Sequence, residues 1–153
     1  MNGTTFLFTF VAAFLVAFLS TPFVKNFAIK IGAVDVPDNK RRIHSKEMPR
    51  LGGLAIFYGF AVSILLFCKI DKAVQGIMLG SIIIVILGIV DDVKQLSAKV
   101  KLPFQIIAAL VVALHGVRIS VLTVPDFIAA EGMLSLDWVS IPLTVIWIVI
   151  VTN

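Results

Sequence analysis

The sequence predicts an all-α polytopic membrane protein with five transmembrane helices and its N-terminus outside. Three observations carry that reading. Of 153 residues, 59% are hydrophobic and only 14% are charged, whereas soluble domains run nearer a quarter charged. The deficit comes as long charge-free blocks close to the ~20 residues that a ~30 Å hydrocarbon core demands. The positive residues gather between those blocks rather than within them.

The first helix is expected at about 5–24. Met1 to Val24 holds no charged residue, and a secretory signal would open with a basic stretch. Pro22 falls near its inner end, where a kink is tolerated. Residues 25–50 read as a polar loop with seven of the thirteen basic residues, Lys25, Lys30, Lys40, Arg41, Arg42, Lys46 and Arg50. Asp35, Pro37, Asp38 and Asn39 are turn formers there. A second span is expected at 51–68, opened by Gly52-Gly53, where backbone can approach closely. Its Cys68 is the single cysteine, so no internal disulfide forms and a small lipid-facing or packing role is expected.

A short turn at Lys69, Asp71 and Lys72 leads to a third span at 73–90. It ends abruptly in Asp91-Asp92 and Lys94. Residues 91–101 form a second polar loop with Lys94, Lys99 and Lys101. The fourth span is placed at 102–117, with Pro103 in its first turn, where proline is at home. His115 lies on this otherwise apolar span and reads as structural. The loop before the fifth span holds Arg118, Asp126, Glu131 and Asp137, with β-prone pieces such as Ile119 to Val124 that suggest a short hairpin. The fifth span is placed at 138–153, and Trp138 suits an interfacial belt.

Charge placement orients the chain. Ten of the thirteen basic residues fall in the loops 25–50 and 91–101, and three fall opposite. Positive residues mark the cytoplasmic side, so both polar loops and the end of the fifth helix at Asn153 are expected there. No internal repeat is visible, and the five helices read as one membrane domain.

Two adjacent carboxylates repel each other, so Asp91 and Asp92 call for a cation. A metal ion, a nearby lysine or plain water would each serve, and a solvated helix end is the ordinary alternative. Carboxylate and amide oxygens suit Mg²⁺, which keeps sites for water and substrate phosphates. Arginine and lysine suit phosphate or diphosphate groups. These are the ingredients of phosphoryl transfer, in which positioning and charge neutralisation do most of the catalysis. A positive-inside loop explains the same basic residues without any function.

The segments VDVPDNKRRIHSKEMPRLGGLAIF (Val34 to Phe57) and GIVDDVKQLSAKVKLPFQ (Gly88 to Gln105) resemble the polyprenyl-phosphate N-acetylhexosamine-1-phosphate transferases. The D-x-P-x(3)-R-x-x-H pattern with P-R-x-G-G is specific in combination, whereas the aspartate pair alone is weak. Such enzymes move a sugar 1-phosphate from a UDP-sugar to undecaprenyl phosphate and release UMP. The wording of the motifs is nearest the N-acetylglucosamine branch that starts wall teichoic acid and related surface glycans. The resemblance implies catalytic or Mg²⁺-binding roles for Asp91 and Asp92, with Mn²⁺ as the substitute. It implies that Asn153 lies near the metal, and that His44, Lys46, Arg50 and Lys101 face the nucleotide sugar or its phosphates. The partners it implies are a UDP-sugar, undecaprenyl phosphate and membrane lipid, with a homodimer in some branches.

Family members are about twice this length, so the chain resembles the N-terminal half and is expected to be inactive alone. The runner-up is the phospho-N-acetylmuramoyl-pentapeptide transferase branch. That branch carries a T-P-T-M-G-G loop where this chain has Met48-Pro49-Arg50-Leu51-Gly52-Gly53. A non-catalytic membrane component would place acids or lysines mid-span, and none is found in the five spans. Apart from Phe27, no aromatic residue interleaves with the basic loop, so no nucleic-acid partner is expected.

Overall fold

The computed structural model describes residues 3–35, 48–124 and 133–153, and these form five α-helices and two short antiparallel strand pairs. The helices are α1 (Gly3–Ile31), α2 (Gly52–Phe67), α3 (Lys72–Lys94), α4 (Ala98–Leu114) and α5 (Ser140–Thr152). The strands are β1 (Val34–Asp35) with β2 (Met48–Pro49), and β3 (Val121–Thr123) with β4 (Met133–Ser135). A 3₁₀ turn, Asp137–Val139, leads into α5. Two helices, α1 and α3, are long and apolar enough to cross a bilayer, and α2 and the 137–152 stretch are shorter apolar helices.

Helix ends explain where the expected boundaries shift. The first helix was expected to stop at residue 24 and instead runs to Ile31, so Lys25 and Lys30 are helical rather than in a loop. Nothing in Lys25 to Lys30 breaks a helix; Gly32 does. It takes a φ of 75°, which costs glycine little. Its N–H donates to the Ile29 carbonyl at 3.2 Å, and the Ala33 N–H donates to the Ala28 carbonyl at 2.9 Å. That pair of bonds is the Schellman closure. Gly116 closes α4 the same way, with a φ of 97° and a bond from the Val117 N–H to the Val112 carbonyl at 3.3 Å. At the start of α3, the Asp71 carboxylate accepts the Val74 N–H at 2.8 Å, as an N-cap should.

The expected 91–101 loop shrinks to residues 95–97, because α3 continues to Lys94 and α4 begins at Ala98. Charge ends the apolar stretch but not the helix, since lysine is a good helix former. Pro103 therefore sits inside α4, beyond its first turn, and the helix ends at Leu114 rather than 117. The hairpin anticipated near 119–124 is present as β3–β4, with Leu122 opposite Leu134. Asp126 and Glu131 lie outside the described residues.

The chain divides into two compact units: residues 1–69 with 85–96, and residues 70–84 with 97–153. In the first, α1 packs against α2 through small residues. A Cβ on Gly59 would collide with the Ala13 carbonyl oxygen and touch the Ala17 methyl. Small residues let backbones approach where lipid supplies no hydrophobic drive between helices. Further along, Val24, Ala28, Ala33, Leu51 and Ala55 form the buried cluster, with Ile31, Leu54 and Ile89 packed on it. In the second unit, Gly76 and Gly80 of α3 lie against His115 and Val112 of α4. Here His115 Nδ1 lies 2.7 Å from the Val111 carbonyl oxygen, which agrees with a structural role.

The base of the polar segment is clasped in the first unit. β1 and β2 pair Val34 with Pro49 and Asp35 with Met48. The Arg50 N–H donates to the Ala33 carbonyl at 3.0 Å, and its guanidinium Nη2 donates to Asp35 Oδ1 in an ion pair.

Substitutions test the helix packing and the clasp. Gly59→Leu forces α1 and α2 apart and lowers stability by about 1–3 kcal/mol, the usual overpacking cost, read as a fall in the thermal midpoint in detergent. Gly53→Ala, which meets nothing within 4 Å, leaves that midpoint unchanged or raises it. Asp35→Asn and Arg50→Gln each destabilise the clasp, and the double variant recovers a coupling of roughly 1 kcal/mol, as for a pair still partly open to water; additive losses would show the pair contributes nothing.

Candidate functional site

The first unit brings three of the expected site residues together. Asp91 and Asp92 occupy the last turn of α3, past the apolar stretch that ends at Val90. Ile89, one turn earlier, packs on the cluster that contains Leu51. Arg50 precedes Leu51, and its charge acts on Asp92. Two carboxylates and a guanidinium thus share one end of the unit, and Asp35 holds the guanidinium.

The two aspartates do different things. Asp91 ends the helix. Its backbone carbonyl accepts the Gln95 N–H at 2.7 Å, and its Oδ1 accepts the Leu96 N–H at 2.9 Å. Gln95 takes a φ of 50° at this turn, a conformation few side chains other than glycine, asparagine or aspartate adopt readily. A carboxylate at a helix C-terminus opposes the dipole, so these bonds are what keep Asp91 in place. Asp92 bears the electrostatic tension. Partial burial raises its pKa above the ordinary carboxylate value, Arg50 draws it back down, and the Asp91 charge pushes it up again. Asp92 therefore gains from any added cation.

The donor set fits a hard cation. Among the described residues, no group of three or more histidine, cysteine, aspartate or glutamate side chains forms a metal cluster. The pair offers carboxylate oxygens only, and Asp91 already commits one of them to Leu96. Mg²⁺ accepts one or two carboxylates and keeps water and phosphate oxygens in its other sites, so two carboxylates with no softer ligand suit it.

Beside the clasp lies a cavity of about 210 Å³, lined by Val24, Lys25 and Ala28 of α1 and by Pro49, Leu51 and Ala55 among others. Pockets that enclose a small molecule run to roughly 300–1,000 Å³. This one is too small for a whole nucleotide sugar.

Of the remaining expected residues, Lys101 is half-buried in the first turn of α4 and Asn153 caps α5, its N–H donating to the Val149 carbonyl at 3.1 Å. Both belong to the second unit. His44 and Lys46 lie outside the described residues. Asp35 is the residue that the sequence reading undervalued. It read as a turn former, yet it pairs with Arg50 across fifteen positions. The signal was an acid and a base at the two ends of one polar segment.

Comparison with known proteins bears on this site. The family model for glycosyl transferase family 4 matches residues 74–153. The chain is similar to a probable undecaprenyl-phosphate N-acetylglucosaminyl 1-phosphate transferase of Bacillus subtilis, 43% identical over 94% of this chain and 39% of that protein. It is similar to a decaprenyl-phosphate N-acetylglucosaminephosphotransferase of Mycolicibacterium smegmatis, 34% identical over 84% of this chain and 33% of that protein. An undecaprenyl-phosphate alpha-N-acetylglucosaminyl 1-phosphate transferase of Pasteurella multocida is 29% identical over 68% of this chain. The chain thus spans well under half the length of these relatives. No solved structure matches it. With the family model covering more than half of the chain and a relative this close along nearly all of it, the chain belongs to glycosyl transferase family 4, a family of membrane glycosyl-1-phosphate transferases.

Proposed function

We propose that the whole protein transfers N-acetylglucosamine 1-phosphate from UDP-N-acetylglucosamine to undecaprenyl phosphate, releasing UMP, as the first membrane step of teichoic acid or a related surface glycan. The observation that carries this reading is the meeting of Asp91, Asp92 and Arg50 at one end of the first unit. That end would face the cytoplasm, where the basic residues concentrate, with five helices spanning the bilayer and the N-terminus outside.

In the reaction, an oxygen of the lipid phosphate bonds to the sugar-bearing β-phosphorus. The bond from that phosphorus to the bridging oxygen breaks, and UMP leaves with the electron pair. Asp91 and Asp92 would hold Mg²⁺, which when bound neutralises charge on the diphosphate. Arg50 has five N–H donors; Asp35 takes one nitrogen, and the rest remain for a phosphate oxygen. The lipid phosphate has a second pKa near ~6 and is largely ionised at neutral pH, so Asp92 need not act as a base. Its task is to hold positive charge. The cap at Asp91 keeps the last turn of α3 from fraying while it does so.

The N-acetylmuramoyl-pentapeptide alternative has less support, since Met48 to Gly53 lacks the T-P-T-M-G-G sequence of that branch. The test is label transfer from radiolabelled UDP-N-acetylglucosamine into solvent-extractable lipid, in membranes expressing the gene that encodes this chain. Labelled lipid is expected, and none would overturn the reading. Transfer from the muramoyl-pentapeptide donor instead would favour the other branch. The 153 residues alone are expected to yield none.

Asp92 can be tested by substitution and by pH. Asp92→Asn lowers turnover by about 100-fold or more, the usual effect of removing one charge-stabilising group, and weakens activation by Mg²⁺. The same variant raises the thermal midpoint of the chain at neutral pH. The sign is fixed by the raised pKa: the folded chain holds this proton more tightly than the unfolded one, so ionisation costs stability as pH rises through that pKa. Activation by Mg²⁺ should fall off on the acid side at a higher pH than a free aspartate would dictate. Arg50→Gln should move that limb to still higher pH, since Arg50 holds the pKa down.

A further inference from the structure

The β3–β4 hairpin gives the second unit a surface that the proposed chemistry does not use. Neither strand carries a charge. Leu122 and Leu134 stand opposite each other on one face, while Val121 with Ser135 and Thr123 with Met133 occupy the other. All six side chains are exposed, Met133 at 62%. Trp138, just beyond β4, is 85% exposed, the highest among the large hydrophobic side chains described. Both faces of the hairpin therefore present apolar groups, and neither covers a core. A lone two-stranded hairpin is marginal in water, and an apolar patch of this kind marks a contact surface.

The hairpin is nonetheless fixed in place. The Leu136 N–H donates to the Ser120 carbonyl at 2.9 Å. The Ile119 N–H donates to Thr144 Oγ1 at 2.8 Å, and that hydroxyl donates to the Ser140 carbonyl at 2.7 Å. Leu136, Ser140 and Thr144 are buried. The stem of the hairpin is thus bonded into α5, and exposed charged residues, Arg118 and Asp137, stand at that stem.

We infer that β3–β4 and Trp138 form a lipid-docking surface that lies in the boundary between headgroups and acyl chains, at the end where α5 enters the bilayer. Two arguments select lipid over a protein partner. The patch joins an apolar helix whose Ile146, Trp147, Ile150 and Val151 are also exposed, so it continues a surface already suited to acyl chains. An amphipathic indole next to charged residues is the composition of a membrane interface. The surface is independent of the transferase reading, because it rests on residues remote in sequence from the carboxylate pair.

Tryptophan fluorescence tests this without activity. The chain has two tryptophans, so Trp147→Phe leaves Trp138 as the sole reporter, and Trp138→Phe leaves Trp147. Each variant is reconstituted in phosphatidylcholine vesicles with bromine placed near the headgroup or near the chain end. Trp138 is expected to emit to the blue of tryptophan in water. It should lose more intensity to the shallow bromine than to the deep one, and little to aqueous iodide. Met133→Asp with Leu134→Asp should shift that emission back toward the red, with helix content by circular dichroism unchanged. Iodide quenching of Trp138 while Trp147 still responds to bromine would put the hairpin in water and overturn the inference. Blue emission that ignores bromine and reddens as protein is diluted in lipid would mean a second copy covers the patch, which also overturns it. If neither tryptophan responds to bromine, the chain is not inserted and the inference falls with it.

Discussion

Arg50 is the charge on which the first unit turns. Its backbone joins the end of α1, through the Ala33 carbonyl, to the start of α2. Its guanidinium binds Asp35 across the β1–β2 pair, and its field reaches Asp92 at the end of α3. Three helix ends are therefore referred to one cation. A lysine could not replace it, since a planar fork with five donors can satisfy one carboxylate and still offer bonds elsewhere. Without Arg50, Asp92 would lose the charge that draws its pKa back down against burial and the Asp91 charge, and the strand pair would lose the Arg50–Asp35 tie.

The helices can approach closely enough for this because their contacts are made of small side chains. Ala13, Ala17 and Gly59 bring α1 against α2, while Gly76 and Gly80 admit α4 against α3. In a bilayer the hydrophobic effect does not press helices together, so contact must come from van der Waals fit and buried hydrogen bonds. Two of the buried polar groups follow the same logic: Ser63 and Thr144 donate to carbonyls within their own helices, so they cost little where no water is present.

Much of this was legible in the sequence, and the remainder was not for definable reasons. Charge-free blocks located all five helices, since an apolar run of that length leaves the backbone few other ways to bond. The β-branched and apolar run from Ile119 to Val124 located the hairpin. Helix ends were misjudged wherever polarity was used to mark them. Lys25 and Lys30 extend α1, Asp91 to Lys94 extend α3, and Lys99 and Lys101 open α4. Hydropathy marks where lipid ends, whereas capping marks where a helix ends. The better signals were Gly32, Gly116 and Ser97, each beside a helix terminus. The aspartate pair was visible as a pair, but its asymmetry was not, because it depends on a bond to Leu96 and on the position of Arg50.

That asymmetry explains why two adjacent acids can serve one site. If both carboxylates were equally free, their repulsion and the helix dipole would fray the last turn of α3. Asp91 removes the difficulty by spending part of its capacity on the Leu96 N–H, which fixes the turn from which Asp92 projects. Asp92 is then held half-buried beside a like charge, in a state that ionisation makes unfavourable and a cation relieves. Relaxing that strain by mutation should stabilise the chain and weaken its hold on positive charge. Natural sequences retain such unfavourable groups where activity requires them. The cost of ionising Asp92 thus becomes part of the affinity for whatever neutralises it, and the Arg50 charge lowers that cost.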